Sequence, residues 1–205
     1  MFYATPERPP LLAIDPFKAI VAPRPIGWIS TISAAGAVNL APYSYCNAIC
    51  ATPPLIMFSS DGWKDTVANC AETGEFVFNL ATFDVAEQMN ETSSPLPKEV
   101  SEFDFVGLEP AASVLVRPPR VAVSPAALEC RVTQIFRPLT AAGAETDNHV
   151  VIGEVVGVHI ADDCLVEGRF DIRRAGAIAR CGYSDFVRVA ETFRMARPKG
   201  GGNWA

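Results

Sequence analysis

Side chains suited to binding a phosphate occur in two short stretches of the sequence. They are Ser30, Thr31, Lys64, Asp65 and Thr66, with Arg24 as a further cation. Lys64 stands just before a predicted helix, and a helix N-terminus offers unpaired N–H groups and a partial positive charge to an anion. A plainer interpretation also fits, in which Asp65 or Thr66 caps the helix and Lys64 is solvated. The sequence has no Walker loop and no GxGxxG motif, so a nucleotide would need another architecture.

A second candidate is the polar loop predicted at residues 41–47. Tyr43 and Tyr45 could lie against a flat ring, while Ser44 and Asn47 hydrogen-bond its polar edge. In the alternative interpretation this is a surface loop whose tyrosines pack on the rest of the fold. The residues alone leave both interpretations open.

The third candidate is His149, at the start of a predicted strand that also contains His159. A single histidine is more often structural than functional, and His159 is the weaker candidate of the two. The same strand contains Gly153 and Gly157, which suggest close approach by another backbone or a ligand. No Ser/His/Asp constellation is present, because both candidate serine turns lack the second glycine of a nucleophile elbow.

The composition narrows the class of protein. The 205 residues are 49% hydrophobic and 20% charged with a net charge of −6, which predicts one globular domain over residues 1–205. No Lys/Arg cluster is present, so we expect no nucleic-acid partner. The start of the chain lacks the pattern of a signal peptide, and no apolar run is long enough for a membrane span. Six cysteines without a CxxC motif predict reduced thiols, no metal site and a cytoplasmic protein.

The hydrophobic pattern predicts many strands and few, short helices. Strands are predicted at residues 18–21, 26–33, 38–40, 55–59, 75–80, 126–136 and 149–160. Helices are predicted at residues 65–73, 84–91 and 172–179, an extended arm at 1–18, a loop at 93–104 and a loose tail at 198–205. Because the helices do not alternate regularly with strands, we expect a small closed barrel with helices across its openings rather than a Rossmann sheet.

The central element is the hairpin over residues 23–47, whose two arms are joined by a turn at residues 34–37. Gly36 can adopt positive φ there at little cost. The second arm opens into the polar loop, so the hairpin should position both the hydroxyls of Ser30 and Thr31 and the loop side chains.

Several motifs in order resemble the flavin reductase-like, FMN-binding split-barrel family. They are PRPIGWIST, NLAPYSYCN, TPPLIMFSS, KDT, TGEFVFNL, SPAALEC, NHVVIGEVVGVHI, IARCGYSDF and FRMARP, and they extend from about residue 18 to residue 198. The resemblance implies a mainly β fold, a six-stranded split barrel with a few short flanking helices. It also implies a homodimer that holds FMN in a cleft at the interface.

The resemblance implies a role for each matching residue. Ser30, Thr31, Lys64 and Thr66 would hold the FMN phosphate, with Asp65 ordering the turn. The ribityl chain and ring edge would be lined by Asn39, Ser44, Tyr45, Cys46 and Asn47, with Ser59 beside them. His149 would be the catalytic candidate near the flavin or nicotinamide, and Tyr183 would lie near the ring. Cys46 stands where the family often has Phe, so its smaller thiol could widen the site.

The activity implied is that of an NAD(P)H:flavin oxidoreductase, which transfers a hydride from NADH or NADPH to FMN. Such a protein could supply reduced flavin to a partner monooxygenase or pass electrons to another acceptor. Two alternatives stay open: an electron-transfer flavoprotein reduced by a protein partner, and a flavin-binding module without turnover.

Overall fold

The computed structural model describes residues 1–97, 99–196 and 198, and all of the predicted loose tail beyond Pro198 lies outside them. The α-helices are α1 (Phe17–Ile20), α2 (Asp65–Thr73), α3 (Ala86–Glu91) and α4 (Glu102–Val106). Short 3-10 turns occur at Thr5–Glu7, Phe83–Val85 and Asp162–Cys164.

One antiparallel sheet dominates the fold. Its strands are β2 (Gly27–Ile32), β3 (Val38–Tyr43), β4 (Cys46–Ala51), β5 (Pro54–Asp61), β6 (Glu75–Leu80), β9 (Ala126–Phe136) and β10 (Asn148–Ile160). The shorter strands are β1 (Arg24–Pro25), β7 (Pro110–Ala111), β8 (Arg120–Val121), β11 (Leu165–Val166), β12 (Arg169–Phe170), β13 (Ile178–Arg180) and β14 (Phe186–Arg188). The order across the main sheet is β3-β2-β6-β9-β10-β5-β4.

The two edges of this sheet are joined by a single bent strand. β3 lies at one edge and β4 at the other, yet only Ser44 and Tyr45 separate them in sequence. The backbone N–H of Ser59 on β5 also donates to the carbonyl of Tyr45 at 2.8 Å. Counted as one bent strand, β3–β4 closes the sheet into a six-stranded barrel, so the predicted split-barrel architecture is confirmed.

The barrel interior is filled by apolar side chains and closed at one opening by α2. Phe58 and Phe76 are fully buried and meet edge-to-face with 5.4 Å between ring centroids. Val67 and Cys70 of α2 belong to the same core cluster. Burial of each such aromatic side chain stabilises the fold by about 1.5–3 kcal/mol. α2 is therefore anchored by its apolar face, which fixes the position of its N-terminus.

Four local predictions are wrong. The predicted loop at 93–104 ends at the start of α4, because Ser101 Oγ accepts the Phe103 N–H and starts that helix. Residues 18–21 fall largely in α1 rather than in a strand, because Asp15 Oδ1 accepts the Phe17 N–H and starts a helical turn. The predicted helix at 172–179 is a turn followed by β13, which pairs with β1 and β14. Gly176, with φ of +66°, breaks the helical backbone. The predicted loop at 41–47 shrinks to residues 44–45, since β3 extends to Tyr43 and β4 begins at Cys46.

The glycines of β10 accommodate side chains of neighbouring strands, rather than a backbone or a ligand. A Cβ at Gly153 would lie 2.4 Å from the ring of Phe76, and one at Gly157 would lie 3.3 Å from Cβ of Glu129. Both positions therefore serve barrel packing.

His159 contacts the buried carboxylate of Glu129, so this histidine has a structural role. Glu129 also accepts the backbone N–H groups of Val114, Leu115 and Val116 at 2.8, 2.6 and 3.1 Å. Burial raises the Glu129 pKa, but the hydrogen bonds from His159 and these amides outweigh it and leave that pKa lowered. The pair pins loop 112–118 against the barrel.

None of the helices formed by the described residues is long and apolar enough to cross a bilayer.

Candidate functional site

Four polar side chains from β2, β3 and α2 form one hydrogen-bonded cluster. Asn39 Nδ2 donates to Thr66 Oγ1 at 2.8 Å, and Asn69 Nδ2 donates to Thr31 Oγ1 at 3.0 Å. A longer contact of 3.4 Å between Asn39 Nδ2 and Thr31 Oγ1 joins the two pairs. The structure thus brings together Thr31 and Thr66, which were predicted at one site, and adds Asn39, which was predicted to line the ribityl chain.

The start of α2 lies at the mouth of this cluster. The helix and its end match the prediction, with Gly74 in the left-handed conformation after the last turn, but the N-cap is Lys64, whose side chain makes no capping hydrogen bond. The interpretation of Asp65 or Thr66 as the cap is therefore wrong, because both are already helical. A cavity of about 480 Å³ opens here; we call it the helix cavity. Its lining includes Asn39, Tyr43, Trp63, Lys64, Asp65, Thr66 and Glu102.

Carboxylates partly oppose the positive charge of the helix cavity. Glu102 Oε2 accepts the Leu40 N–H at 2.9 Å. Desolvation raises the Glu102 pKa, the Leu40 N–H lowers it, and the charge of Asp65 raises it further; the net direction is upward. Together with Asp65, Glu102 makes this cavity polar rather than strongly cationic.

Tyr43 belongs to the barrel core and does not offer its ring to a ligand. Its side chain is 8% exposed and its ring centroid lies 4.9 Å from that of Phe58. Burial raises the pKa of the phenol, although hydrogen bonds with the Thr66 and Ser60 hydroxyls lower it. The hypothesis that Tyr43 stacks on a flat ring is therefore wrong, and a neutral phenol supports Thr66 instead.

The Ser30 hydroxyl does not join this cluster. It is fully buried and donates to the Pro119 carbonyl, while Asn79 Nδ2 donates to it at 3.3 Å. Successive residues of a strand face opposite sides of the sheet, so Ser30 and Thr31 cannot present their side chains to one ligand. Ser30 therefore has a structural role and does not contact the helix cavity.

The residues predicted to surround the flavin ring line a second cavity, of about 700 Å³, which we call the apolar cavity. Its lining includes Ser44, Tyr45, Cys46, Asn47 and Ser59, together with Phe17, Ile20, Met57 and Val150. Ser59 Oγ accepts from Asn148 Nδ2 at 3.2 Å. Burial raises the pKa of the Cys46 thiol to about 12, so this group stays protonated at neutral pH.

A third cavity, of about 470 Å³, lies between the N-terminal arm and the turn after β13; we call it the arm cavity. Tyr183 lines it, as do Arg24 and Ser44. The arm cavity shares Lys18, Arg24 and Ser44 with the apolar cavity, and Pro42 and Ser93 with the helix cavity. The three cavities therefore follow the bent strand β3–β4 as one trough. Arg24 lines its arm end and not the helix cavity.

His149 lies next to the trough at the start of β10, as predicted. Its ring meets the indole of Trp63 edge-to-face with 5.0 Å between centroids, and its buried Nδ1 has no hydrogen-bond partner in the part of the chain that the structure describes. Trp63 is 57% exposed and lines the helix cavity. An unpartnered buried ring nitrogen beside an exposed indole is a feature that packing alone does not explain.

Sequence reasoning missed Asn69, Trp63 and Glu102. Asn69 follows Thr66 by three residues, so helical periodicity would have placed both on one face of α2. Trp63 precedes Lys64 directly and could have been included with it. Glu102 reaches the site from α4, and no local signal connects it to residues 39–66.

The chain belongs to the flavin reductase-like family. Residues 21–172 match the flavin reductase like domain, which covers most of the chain and all three segments that form the helix cavity cluster. The resemblance expected from the ordered motifs is thus confirmed.

Among relatives, an uncharacterized protein of Halalkalibacterium halodurans is 38% identical over 183 residues, 87% of each chain. Nitrilotriacetate monooxygenase component B from Bacillus cereus is 27% identical, with a TM-score of 0.86 over 95% of this chain and 98% of that one. The 2-nitrobenzoate 2-nitroreductase of Pseudomonas fluorescens is 26% identical, with a TM-score of 0.83 over 97% and 96%.

Proposed function

We propose that this protein binds FMN and catalyses hydride transfer from NADH or NADPH to the flavin. The observation that carries the proposal is the helix cavity, where Lys64, Thr66 and Asn39 converge on an uncapped helix start in a flavin reductase-like fold.

The donor set at this end of the trough fits a phosphate. The side chain of the N-cap residue, Lys64, makes no capping hydrogen bond to the first-turn N–H groups of α2, and Thr66 Oγ1 already accepts from Asn39. Lys64 is exposed and makes no ion pair within the part of the chain that the structure describes. Backbone donors, hydroxyl and ammonium together are the groups that bind phosphate at helix N-termini. Lys64, Thr66 and Asn39 would hold the phosphate, with Asp65 ordering the turn and Thr31 supporting the amides.

The remaining trough fits a sugar chain and a flat ring. Ser44, Asn47 and Ser59 offer hydrogen bonds, while Tyr45 and Cys46 add apolar surface. When bound there, FMN supplies a ring that accepts a hydride from NAD(P)H and passes the electrons on. The Cys46 thiol lines the site without titrating, because its pKa of about 12 lies far above neutral pH.

His149 is the proposed catalytic residue, with Trp63 as a positioning residue. The indole holds the imidazole edge-to-face, and Nδ1 retains an unused hydrogen-bonding capacity for a ligand. His149 then orients a ligand by hydrogen bonding and need not exchange a proton.

We further propose a homodimer with FMN at its interface. Phe17, Ile20, Val21 and Ile49 are exposed apolar side chains on or near the apolar cavity and the edge strand β4. Burial of this surface against a second copy would remove it from water. Light scattering should then give twice the 22.0 kDa mass of one chain; a monomer mass at micromolar concentration would contradict the proposal.

The reductase activity is tested by mixing the protein with FMN and NADH or NADPH and following the absorbance of the nucleotide at 340 nm. We expect oxidation with at least one nucleotide. No oxidation with either would exclude the reductase, and a bound flavin reduced only by a protein partner would favour an electron-transfer flavoprotein. An inert yellow protein would indicate a binding module without turnover.

The proposal also names an electron acceptor, a partner monooxygenase, and a cellular compartment, the cytoplasm. The likeness to a monooxygenase component supports a partner monooxygenase as one acceptor. The six cysteines are all free, which supports the reducing cytoplasm as the site of action.

A further inference from the structure

The arm cavity contains more positive charge than an acidic protein of net charge −6 would lead one to expect. Lys18, Arg24 and Arg180 line it, against the single carboxylate of Asp15. Asp15 Oδ1 is engaged by the Phe17 N–H at 2.8 Å. None of the three cations forms an ion pair with any side chain in residues 1–97, 99–196 or 198. Three positive charges thus converge without a compensating anion.

Arg24 is the buried member of this group, with 7% of its surface exposed. Its Nη1 donates to the carbonyls of Lys18 and Val21, but its buried Nε has no hydrogen-bond partner among the described residues. A buried guanidinium without an anion is unfavourable, because neutral carbonyls only partly replace its hydration. The unused donor indicates that an anionic partner is absent from the isolated chain.

Arg180 is held in place before any ligand binds. Its guanidinium carbon lies 4.4 Å from the ring centroid of Phe186, and its Nη2 donates to the Tyr183 carbonyl. Tyr183 itself has φ of +53°, an uncommon value for a residue other than glycine. The ring contact and the carbonyl fix the plane of the guanidinium and leave further N–H donors for a planar or tetrahedral anion.

The position of this charge separates it from the phosphate site proposed for FMN. Arg180 and Lys18 do not line the helix cavity, whereas the arm cavity shares Lys18, Arg24 and Ser44 with the apolar cavity proposed for the flavin ring. A ligand whose anionic group is bound by Arg180 would therefore lie next to the part of the trough that is proposed for the flavin ring.

We propose that the arm cavity binds an anionic group, phosphate or carboxylate, of the second substrate that meets the flavin. Lys18, Arg24 and Arg180 are the recognising residues. The assignment rests on the proposed flavin site. Two sources share this chemistry: the pyrophosphate of a pyridine nucleotide and the carboxylate of an organic-acid acceptor.

The test is calorimetric titration of the FMN-treated protein with ADP-ribose and, separately, with benzoate, in wild type, Arg180→Gln and Arg188→Gln. Arg188 is the matched control, because its guanidinium also lies over a ring, that of Phe83 at 4.8 Å, but does not line the cavity. We expect Arg180→Gln to weaken one ligand by about tenfold or more, the effect of losing hydrogen bonds to a charged group. Arg188→Gln should leave both affinities unchanged.

Loss of ADP-ribose affinity identifies the nucleotide as the source, and loss of benzoate affinity identifies an acid acceptor. Equal affinities in all three proteins for both ligands would overturn the proposal. So would an FMN affinity that falls in Arg180→Gln as far as in Lys64→Ala, because the arm cavity would then hold the flavin phosphate. Lys18→Gln provides a second variant on the exposed rim. Because calorimetry measures binding and not turnover, a protein that binds these anions without oxidising NADH would contradict only the proposed function.

Discussion

The helix cavity and the arm cavity lie along the same bent strand but are built from different chemistry. The helix cavity combines hydroxyls, amides and one lysine with two carboxylates, Asp65 and Glu102. The arm cavity combines three cations with one carboxylate. Net charge alone would assign the flavin phosphate to the arm cavity, whereas directed donors at a helix start assign it to the helix cavity. The phosphate of a cofactor that stays bound needs directed hydrogen bonds, whereas a substrate that binds and leaves can be held by a concentration of charge.

The largest expected effect comes from Lys64→Ala. Loss of the ammonium should weaken FMN binding by about 1.5–3 kcal/mol, the range for hydrogen bonds to charged groups. Flavin fluorescence titration measures it, with Arg180→Gln as the control, because Arg180 lines the arm cavity and neither of the other two. If Arg180→Gln weakened FMN more than Lys64→Ala, the assignment of the two cavities would have to be exchanged.

Gly182→Ala should damage the arm cavity and spare the helix cavity. The added Cβ would lie 2.5 Å from Cβ and 2.6 Å from Cα of Ala19, which forces α1 away from the turn. Overpacking of this kind costs about 1–3 kcal/mol. We expect a lower melting temperature and faster proteolysis of residues 1–20, with the preference for FMN over riboflavin preserved, because the helix cavity is not altered. Ser184→Ala is the control in the same turn, and a Gly182→Ala protein with an intact arm would disprove the close approach.

Thr66→Val tests the hydroxyl of the helix cavity at nearly constant volume. It removes the acceptor of the Asn39 amide and one donor to the phosphate, so FMN affinity should fall by about 1 kcal/mol. Thr73→Val is the matched change on the same helix, because Thr73 Oγ1 donates to the Asn69 carbonyl at 2.8 Å away from the cavity mouth. Equal affinities for the two variants would remove Thr66 from the site.

Glu102→Gln should strengthen FMN binding by about 0.5–1 kcal/mol, since it removes a negative charge near the phosphate and keeps an acceptor for the Leu40 N–H. The wild-type carboxylate has a raised pKa, so its proton binds progressively as pH falls through that raised value. FMN affinity in the wild type should therefore rise as pH falls over this range, and the rise should flatten in Glu102→Gln. Glu72→Gln, outside the helix cavity, should keep the wild-type profile. A steeper profile in Glu102→Gln would contradict the electrostatic account.

The sequence predicted those parts of the fold that repeat regularly. The alternation of residues along the strands and the glycine in the turn predicted the hairpin of β2 and β3. The residues from Lys64 to Gly74 predicted α2 and the position of its C-terminal end. The failures at residues 18–21 and 172–179 have different causes. At the first, the carboxylate of Asp15 starts a helical turn locally, whereas the second takes its structure from the pairing of β13 with β1, which is distant in sequence.

Within the site, the local sequence pattern identified the residues but not the directions in which their side chains point. Ser30 and Thr31 were predicted together, yet alternation along β2 sends the Ser30 hydroxyl to Pro119. Tyr43 was predicted to face a ligand, but the barrel closes around it. The cations of the arm cavity come from α1, β1 and β13, so only the folded chain brings them together.

The most direct test of the central claim compares FMN with riboflavin, which lacks the phosphate, by titration into wild-type protein and Lys64→Ala. The account predicts that the wild type binds FMN at least about tenfold more tightly than riboflavin, and that Lys64→Ala removes most of this difference. Equal wild-type affinities for the two flavins, or an unchanged preference in Lys64→Ala, would contradict a phosphate site at the start of α2.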